Sequence, residues 1–290
     1  MDATWNPNGL DASMPIQYNQ SSQADTKDME QHELNGLRRW FTGYCGSFYS
    51  LNHEDQRNIT LKEEHTRNVC GNIVQIARGL SLDDARITLA EAIALYHDIG
   101  RFPQYQKFKT FKDSVSVNHA ALGAKILIEN NVLQRLPKHE QDIIVRIVAL
   151  HNVYSIPGGL DQDKLLFLKL VRDADKLDIL RVAIEYYGQP EDGRASAVGL
   201  GLPDVPGYSR EVLTALKNER MVQMSTLKTL NDFKLLQLAW IYDLNFTSSL
   251  RILESRHYID GIAATLPRTE EIGAALATLR GYVHDGLRGK

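Results

Sequence analysis

From Leu34 onward, apolar residues recur three and four positions apart in almost every segment, and no stretch alternates with the period of two that a half-buried strand requires. A chain written this way buries its apolar surface by packing stripes of helices, so the expected fold is all-α. The spacing predicts helices over about 33–50, 60–80, 83–98, 117–130, 138–151 and 163–187, then about 209–224, 226–256 and 269–284. Residues 188–209, GQPEDGRASAVGLGLPDVPGYS, are dense in Gly and Pro and read as a long loop or lid. Residues 1–30 are rich in Asn, Gln, Ser and Asp with scattered apolar residues, too few to offset the entropy of ordering, and read as a disordered tail. The remainder, 31–290, reads as a single all-α domain with a core at about 60–187 and a C-terminal helical extension over 209–290.

Helical stripes also test every ionisable residue, because a charge on a core-facing stripe is costly unless it is paired or ligating. His65 begins a stripe continued by Val69, Ile73, Ile76 and Leu80, and His97 follows Ala90, Ile93 and Ala94. His119 precedes Leu122, Ile126 and Leu127, whereas His151 follows Ile144, Ile147 and Val148. In VRDADKLDIL, Asp175 shares a stripe with Leu168, Val171, Ile179 and Val182, while Asp173 has Lys169 and Lys176 beside it, so Asp175 reads as the buried acid. Asp178, one turn on, is placed to orient a ligand or to pair with Arg181. One inward histidine is most often a satisfied core residue. Four of them on successive helices, with Asp175 and with Asp98 directly after His97, instead suit a divalent metal: Mn, Fe, Mg, Ni, Co or Zn, one ion or two.

The segment GRFPQYQKFKTFKDSVSVNH, residues 100–119, breaks the helical pattern at Gly100 and Pro103 and interleaves cations with aromatics. It reads as a substrate loop in which Arg101, Lys107 and Lys109 contact phosphate while rings stack on a base. Asn118 and Asn152, beside two of the histidines, could donate to phosphate or cap helices. His32, His53, His139, His257 and His284 share no inward stripe with the cluster.

At HTRNVC, YHDIGRF and RDADKLD the sequence resembles the HD-domain phosphohydrolase superfamily of metal-dependent enzymes, over about residues 60–187. The resemblance implies a helical-bundle fold, with His65, His97, Asp98 and Asp175 as ligands of a first metal. NHAALGAKIL and LHN are similar to the extra-histidine segments of two-metal members. They imply a second ion on His119 and His151, with Asp98 bridging and acting in catalysis. Arg101 stands where related enzymes often carry Lys, which implies a catalytic or phosphate-binding cation. The GYP triplet of the cyclic-di-GMP phosphodiesterase branch is absent, so that substrate is not implied. The implied activity is hydrolysis of a phosphomonoester or phosphodiester, nucleotide-like, by metal-activated water. A di-iron oxygenase and a non-catalytic nucleotide sensor are the alternatives.

A net charge of -3 argues against a duplex nucleic-acid or bilayer binder and is compatible with a small phosphorylated substrate. Two cysteines, Cys45 and Cys70, are too few for a disulfide framework and read as small core residues. No basic start with an apolar core marks a signal peptide, so a cytoplasmic location is expected. No GxxxxGK[ST], GxGxxG or GxSxG pattern competes with the metal reading. Leu227, Leu230, Leu235, Leu238, Ile241, Tyr242, Ile252 and Ile259 form a C-terminal stripe expected to pack internally, with a homodimer left open.

Overall fold

The computed structural model describes residues 28–289, and every regular element among them is helical. Most of the predicted tail lies outside the described residues. Its last residues are ordered: Met29 is buried, and its backbone N–H donates to Glu140 Oε1 at 3.0 Å.

Twelve α-helices follow among the described residues. α1 (Gln31–Gly46) starts in a capping box between Glu30 and Glu33 and buries Leu34, Leu37, Phe41 and Cys45, a stripe spaced three and four apart. α2 (His53–Gly79) is capped by Asn52, whose side chain accepts from the N–H groups of Glu54 and Asp55. Its 27 residues make a rod about 40 Å long. α3 (Asp84–Tyr96) packs along α2 and is buried through most of its length. α4 (Arg101–Phe108), α5 (His119–Glu129) and α6 (Lys138–Leu150) follow, and α7 (Gln162–Gly188) crosses the middle of the molecule against α2, α3 and α6.

α7 shows little apolar asymmetry because its middle, from Phe167 to Ala183, is packed on more than one side. One side carries Asp175 and Asp178 toward α2. The other carries Arg172, Asp173 and Lys176 toward the C-terminal helices α10 (Thr247–Ser255) and α11 (Tyr258–Ala263). Asn72 Nδ2 on α2 donates to the Ala174 carbonyl at 3.1 Å and fixes the register of the two long helices next to Asp175. α8 (Arg210–Lys217), α9 (Leu230–Ala239) and α12 (Glu270–Leu287) complete the extension, where Leu230, Leu235, Leu238, Ile241, Ile252 and Ile259 are buried. Cys45 and Cys70 are unpaired and buried, and burial pushes both thiols up.

Three expectations need correction. Residues 101–108 are helical despite Pro103, which is the third residue of α4, in the first turn, where a backbone N–H has no intrahelical acceptor to lose. The stretch predicted as one helix over 226–256 is α9, a 3-10 turn (Trp240–Asp243) and α10. Finally, Asp173 is fully buried, whereas the Asp175 side chain keeps 19% of its surface exposed, so Asp175 is not the more buried acid. The last two corrections share one cause. The Asp173 carboxylate accepts from Asn245 N at 2.9 Å, Phe246 N at 3.2 Å and Ser249 Oγ at 2.7 Å, capping α10 from another helix and ending the preceding segment. Lys176, which suggested a wet face for Asp173, is itself buried and paired with Asp243 at 2.7 Å.

No helix among the described residues is long and apolar enough to cross a membrane.

Candidate metal centre

Five pieces of backbone deliver the cluster. His65 lies in the middle of α2, and Asp175 and Asp178 lie on α7. His97 and Asp98 occupy the turn just past α3, His119 is the first residue of α5, and His151 immediately follows α6. The turn after α3 is tight: Arg101 N donates to the Asp98 carbonyl at 2.8 Å, and α4 starts at once. Gly100 makes this possible, because a Cβ there would stand 2.1 Å from the His119 carbonyl oxygen and 2.8 Å from Gly123 N. The closeness of α4 to α5 is therefore written as a glycine. Asn118 caps α5, accepting from Ala121 N at 3.0 Å.

All four rings turn the same edge inward. His97 Nδ1 donates to the Ala94 carbonyl at 2.7 Å and His151 Nδ1 to the Val148 carbonyl at 2.8 Å. His65 Nδ1 donates to Asp178 Oδ2 at 2.7 Å, and His119 Nδ1 to Asp113 Oδ2 at 2.7 Å. Carbonyls accept only, and both carboxylates are held below the usual range: against the effect of burial, His65 and Arg181 lower Asp178, while His119 and Arg101 lower Asp113. Each Nδ1 therefore carries its hydrogen, which leaves Nε2 as the atom each ring would offer to a metal.

Those Nε2 atoms face one another. His65 Nε2 and His97 Nε2 are 3.4 Å apart, and His119 Nε2 and His151 Nε2 are 3.0 Å apart. Asp98 stands between the pairs with its oxygens divided. Oδ2 is 3.5 Å from His65 Nε2 and 3.7 Å from His97 Nε2, while Oδ1 is 3.2 Å from His119 Nε2 and 3.8 Å from His151 Nε2. Asp175 Oδ1 completes the first group, 3.1 Å from His65 Nε2 and 3.6 Å from His97 Nε2. The geometry thus yields two buried groups that could each hold an ion, His65 with His97 and Asp98, and Asp98 with His119 and His151.

The electrostatics demand positive charge here. Burial and Lys62 push His65 down, yet its hydrogen bonds to the carboxylates of Asp175 and Asp178 bring it up to about 8. His151, buried beside two other histidines, falls to about 4 and stays neutral, as a ligand must. Burial opposes ionisation of Asp98 and Asp175, but Lys62, His97 and Arg101 hold Asp98, and His65 and His97 hold Asp175, well below the carboxylate range. Facing imidazole lone pairs and converging carboxylates in a dry site fit divalent cations by their donor chemistry.

Three surrounding residues escape sequence reasoning. Lys62, one turn before His65, places Nζ 2.7 Å from Asp98 Oδ2 and 5.0 Å from the centre of the Phe111 ring. Asp113 accepts from His119, from Arg101 Nη1 at 2.9 Å, from Gln104 Nε2 at 2.8 Å and from Asn152 Nδ2 at 3.1 Å. Gln104, fully buried, also donates to Ser116 Oγ and the Val117 carbonyl, fastening the loop from α4 to α5. Lys62 could have been found as a cation on the stripe of His65. Nothing local marks Asp113.

Arg101 lies at the centre, its Nε 3.4 Å from Asp98 Oδ1 and without a hydrogen-bond acceptor among the described residues. Its Nη1 is committed to the Phe111 carbonyl, Asp113 and Gln104. Lys109 pairs with Asp55 at 2.7 Å, and Lys107 sits over the Phe108 ring, so neither is brought to the histidines. Asp178 both accepts from His65 and pairs with Arg181 at 2.6 Å. The 188–209 segment is fastened to the start of α2 by Ser196 N on Glu54 Oε1 and Arg57 Nη1 on the Asp192 carbonyl. A cavity of about 550 Å³ lined by Glu54, Arg57, Tyr186 and Arg194 lies there and contains none of the histidines.

Residues 63–180 match the profile of the HD domain family, a span holding every histidine and aspartate of both groups. No curated protein and no solved structure matches the chain. With the sequence match and the two buried His/Asp groups in agreement, residues 63–180 are an HD domain, of the superfamily of metal-dependent phosphohydrolases.

Proposed function

We propose that the chain hydrolyses phosphate esters of a small, nucleotide-like molecule with two divalent cations, one on His65, His97, Asp98 and Asp175, the other on Asp98, His119 and His151. The observation that carries this reading is the division of Asp98, whose two oxygens face two separate pairs of Nε2 lone pairs. Cations bound there supply Lewis acidity, lowering the pKa of a water and offsetting charge that develops at phosphorus.

The rest is work for the chain. Asp178 and Asp113 hold the rings of His65 and His119 in the ligating tautomer, as the carbonyls of Ala94 and Val148 do for the other two. Arg101 Nε, buried beside Asp98 without an acceptor, is suited to donate to a phosphoryl oxygen. Its Nη1 contacts keep the guanidinium in that orientation. Lys107 and Lys109 are exposed on α4 and at its C-terminal end, beside Phe108 and Asp55, where they would serve only a substrate long enough to reach them.

The test is a turnover screen with Mn, Mg, Ni, Co, Zn and Fe(II) against an aryl phosphomonoester, an aryl phosphodiester and a nucleotide panel, with chelator controls. Ester cleavage that a chelator removes supports the reading. A coloured, redox-active protein that cleaves no ester would replace it with the oxygenase, and a tightly held nucleotide recovered unchanged would replace it with the sensor.

A further inference from the structure

The charge around Asp98 says which kind of phosphate ester suits the centre. Five carboxylates lie in one contact network: Asp98, Asp113, Asp175, Asp178 and, through Arg181, Glu185. Three permanent cations face them: Lys62 on Asp98, Arg101 on Asp98 and Asp113, and Arg181 on Asp178. The deficit of two negative charges is cancelled by one divalent cation, and a second turns it into an excess of two positive charges. This count rests on the two-cation reading above.

Lys62 concentrates the excess. Its Nζ shares Asp98 Oδ2 with the His65 and His97 group, so an ammonium and a divalent cation would adjoin a single carboxylate oxygen. In a site where Asp98 is 3% exposed, two positive charges so close are unfavourable unless an anion lies against both. An ammonium has three donors, and Asp98 Oδ2 takes one, leaving two for a ligand. The side chain is held at the centre by Phe111, whose ring lies 5.0 Å from Nζ and 5.9 Å from the Arg101 guanidinium carbon. Lys62 and Arg101 thus flank Asp98 on opposite oxygens, with one ring under both.

We infer that Lys62 reads the second negative charge of a terminal phosphoryl group, so that the centre is built for a dianionic phosphomonoester and accepts a monoanionic diester poorly. Where the ligand is bound with its water still un-ionised, a dianion brings the network to neutrality, and a diester leaves one uncompensated positive charge.

The experiment titrates inorganic phosphate and diethyl phosphate into Mn-loaded wild type, Lys62→Met and Lys62→Arg at pH 8, with the metal counted in the same samples. The expected result is phosphate affinity weakened about tenfold or more in Lys62→Met. Diethyl phosphate affinity changes less than about threefold, Lys62→Arg recovers most of the loss, and metal content stays at the wild-type level. Phosphate affinity within twofold of wild type, equal weakening of both ligands, or metal lost with the lysine would each overturn the inference, the last by making Lys62 a support for Asp98. If the wild type takes up no metal, the two-cation reading fails by itself. The same titration on metal-free protein then decides Lys62: phosphate binding that depends on it supports the role, and binding that is absent or indifferent to it overturns the role.

Discussion

His119 Nε2 and His151 Nε2 stand 3.0 Å apart, and each ring's Nδ1 hydrogen is donated elsewhere, so two neutral rings would face each other there with lone pairs alone. That closeness is stable only with positive charge between the rings, and Asp98 Oδ1, 3.2 Å from the first ring, supplies the third donor. His119→Ala removes one donor of this group and none of the other. The bound metal should fall from two ions toward one per chain, read by elemental analysis after dialysis. A variant that keeps both ions would remove His119 from the centre.

Asp178 and Asp113 play matching parts in the two groups, each accepting from a ring Nδ1 at 2.7 Å. Loss of a carboxylate that orients a ligating histidine typically costs about 10- to 100-fold in metal affinity. Asp178→Asn should weaken only the ion at His65, and Asp113→Asn only the ion at His119, in competition titrations with a chelating dye. Asp113→Asn should also loosen the 109–118 loop, since Arg101, Gln104 and Asn152 meet on that carboxylate. Equal effects on both ions would break the division.

Gly100→Ala offers a test with no change of charge. The added methyl would meet the backbone of His119 and Gly123, which cannot swing aside as a side chain can. Overpacking of this kind costs about 1–3 kcal/mol, and here the strain falls on the start of α5. Thermal melts should show the lower stability, and the second metal should be lost before the first. Unchanged stability and full metal content would mean that α4 and α5 approach each other less tightly.

How much of this was legible in the sequence depended on whether a residue's partner was near in the chain. His65, His97, His119 and His151 declare themselves by their place on apolar stripes, because helical spacing alone decides which way they point. Asp173 and Asp175 could not be ranked in that way. The partners that bury Asp173 lie near Asn245, 72 positions away, and the middle of α7 is packed on more than one side, so its pattern there does not mark one wet face. Asp113 was silent because it sits in a 3-10 turn, where neither period applies. Pro103 was misread as a breaker because position within the first turn, more than residue type, decides whether proline is tolerated.

Asp243 governs acid stability at the junction of α7 with the C-terminal helices. It pairs with Arg172 at 2.6 Å and Lys176 at 2.7 Å, both buried, and against the effect of burial these cations hold its carboxyl below the ordinary aspartate value. A depressed folded-state pKa contributes stability that is present above the unfolded value, near 4, and lost as the pH falls through the folded value. Asp243→Asn leaves two buried cations unpaired and should cost about 3–5 kcal/mol at pH 7. The gap to wild type should close as the pH drops below about 4, in denaturant melts across pH. A gap that is small at pH 7, or that widens in acid, would contradict this role.

The sharing of Asp98 between two cations is tested most directly by counting Mn(II) per chain at equilibrium in wild type and in Asp98→Ala. The account predicts two ions in the wild type and near-complete loss of both in the variant, because each group surrenders an oxygen from the same carboxylate. Two ions retained without Asp98, or a wild type that binds fewer than two, would contradict it.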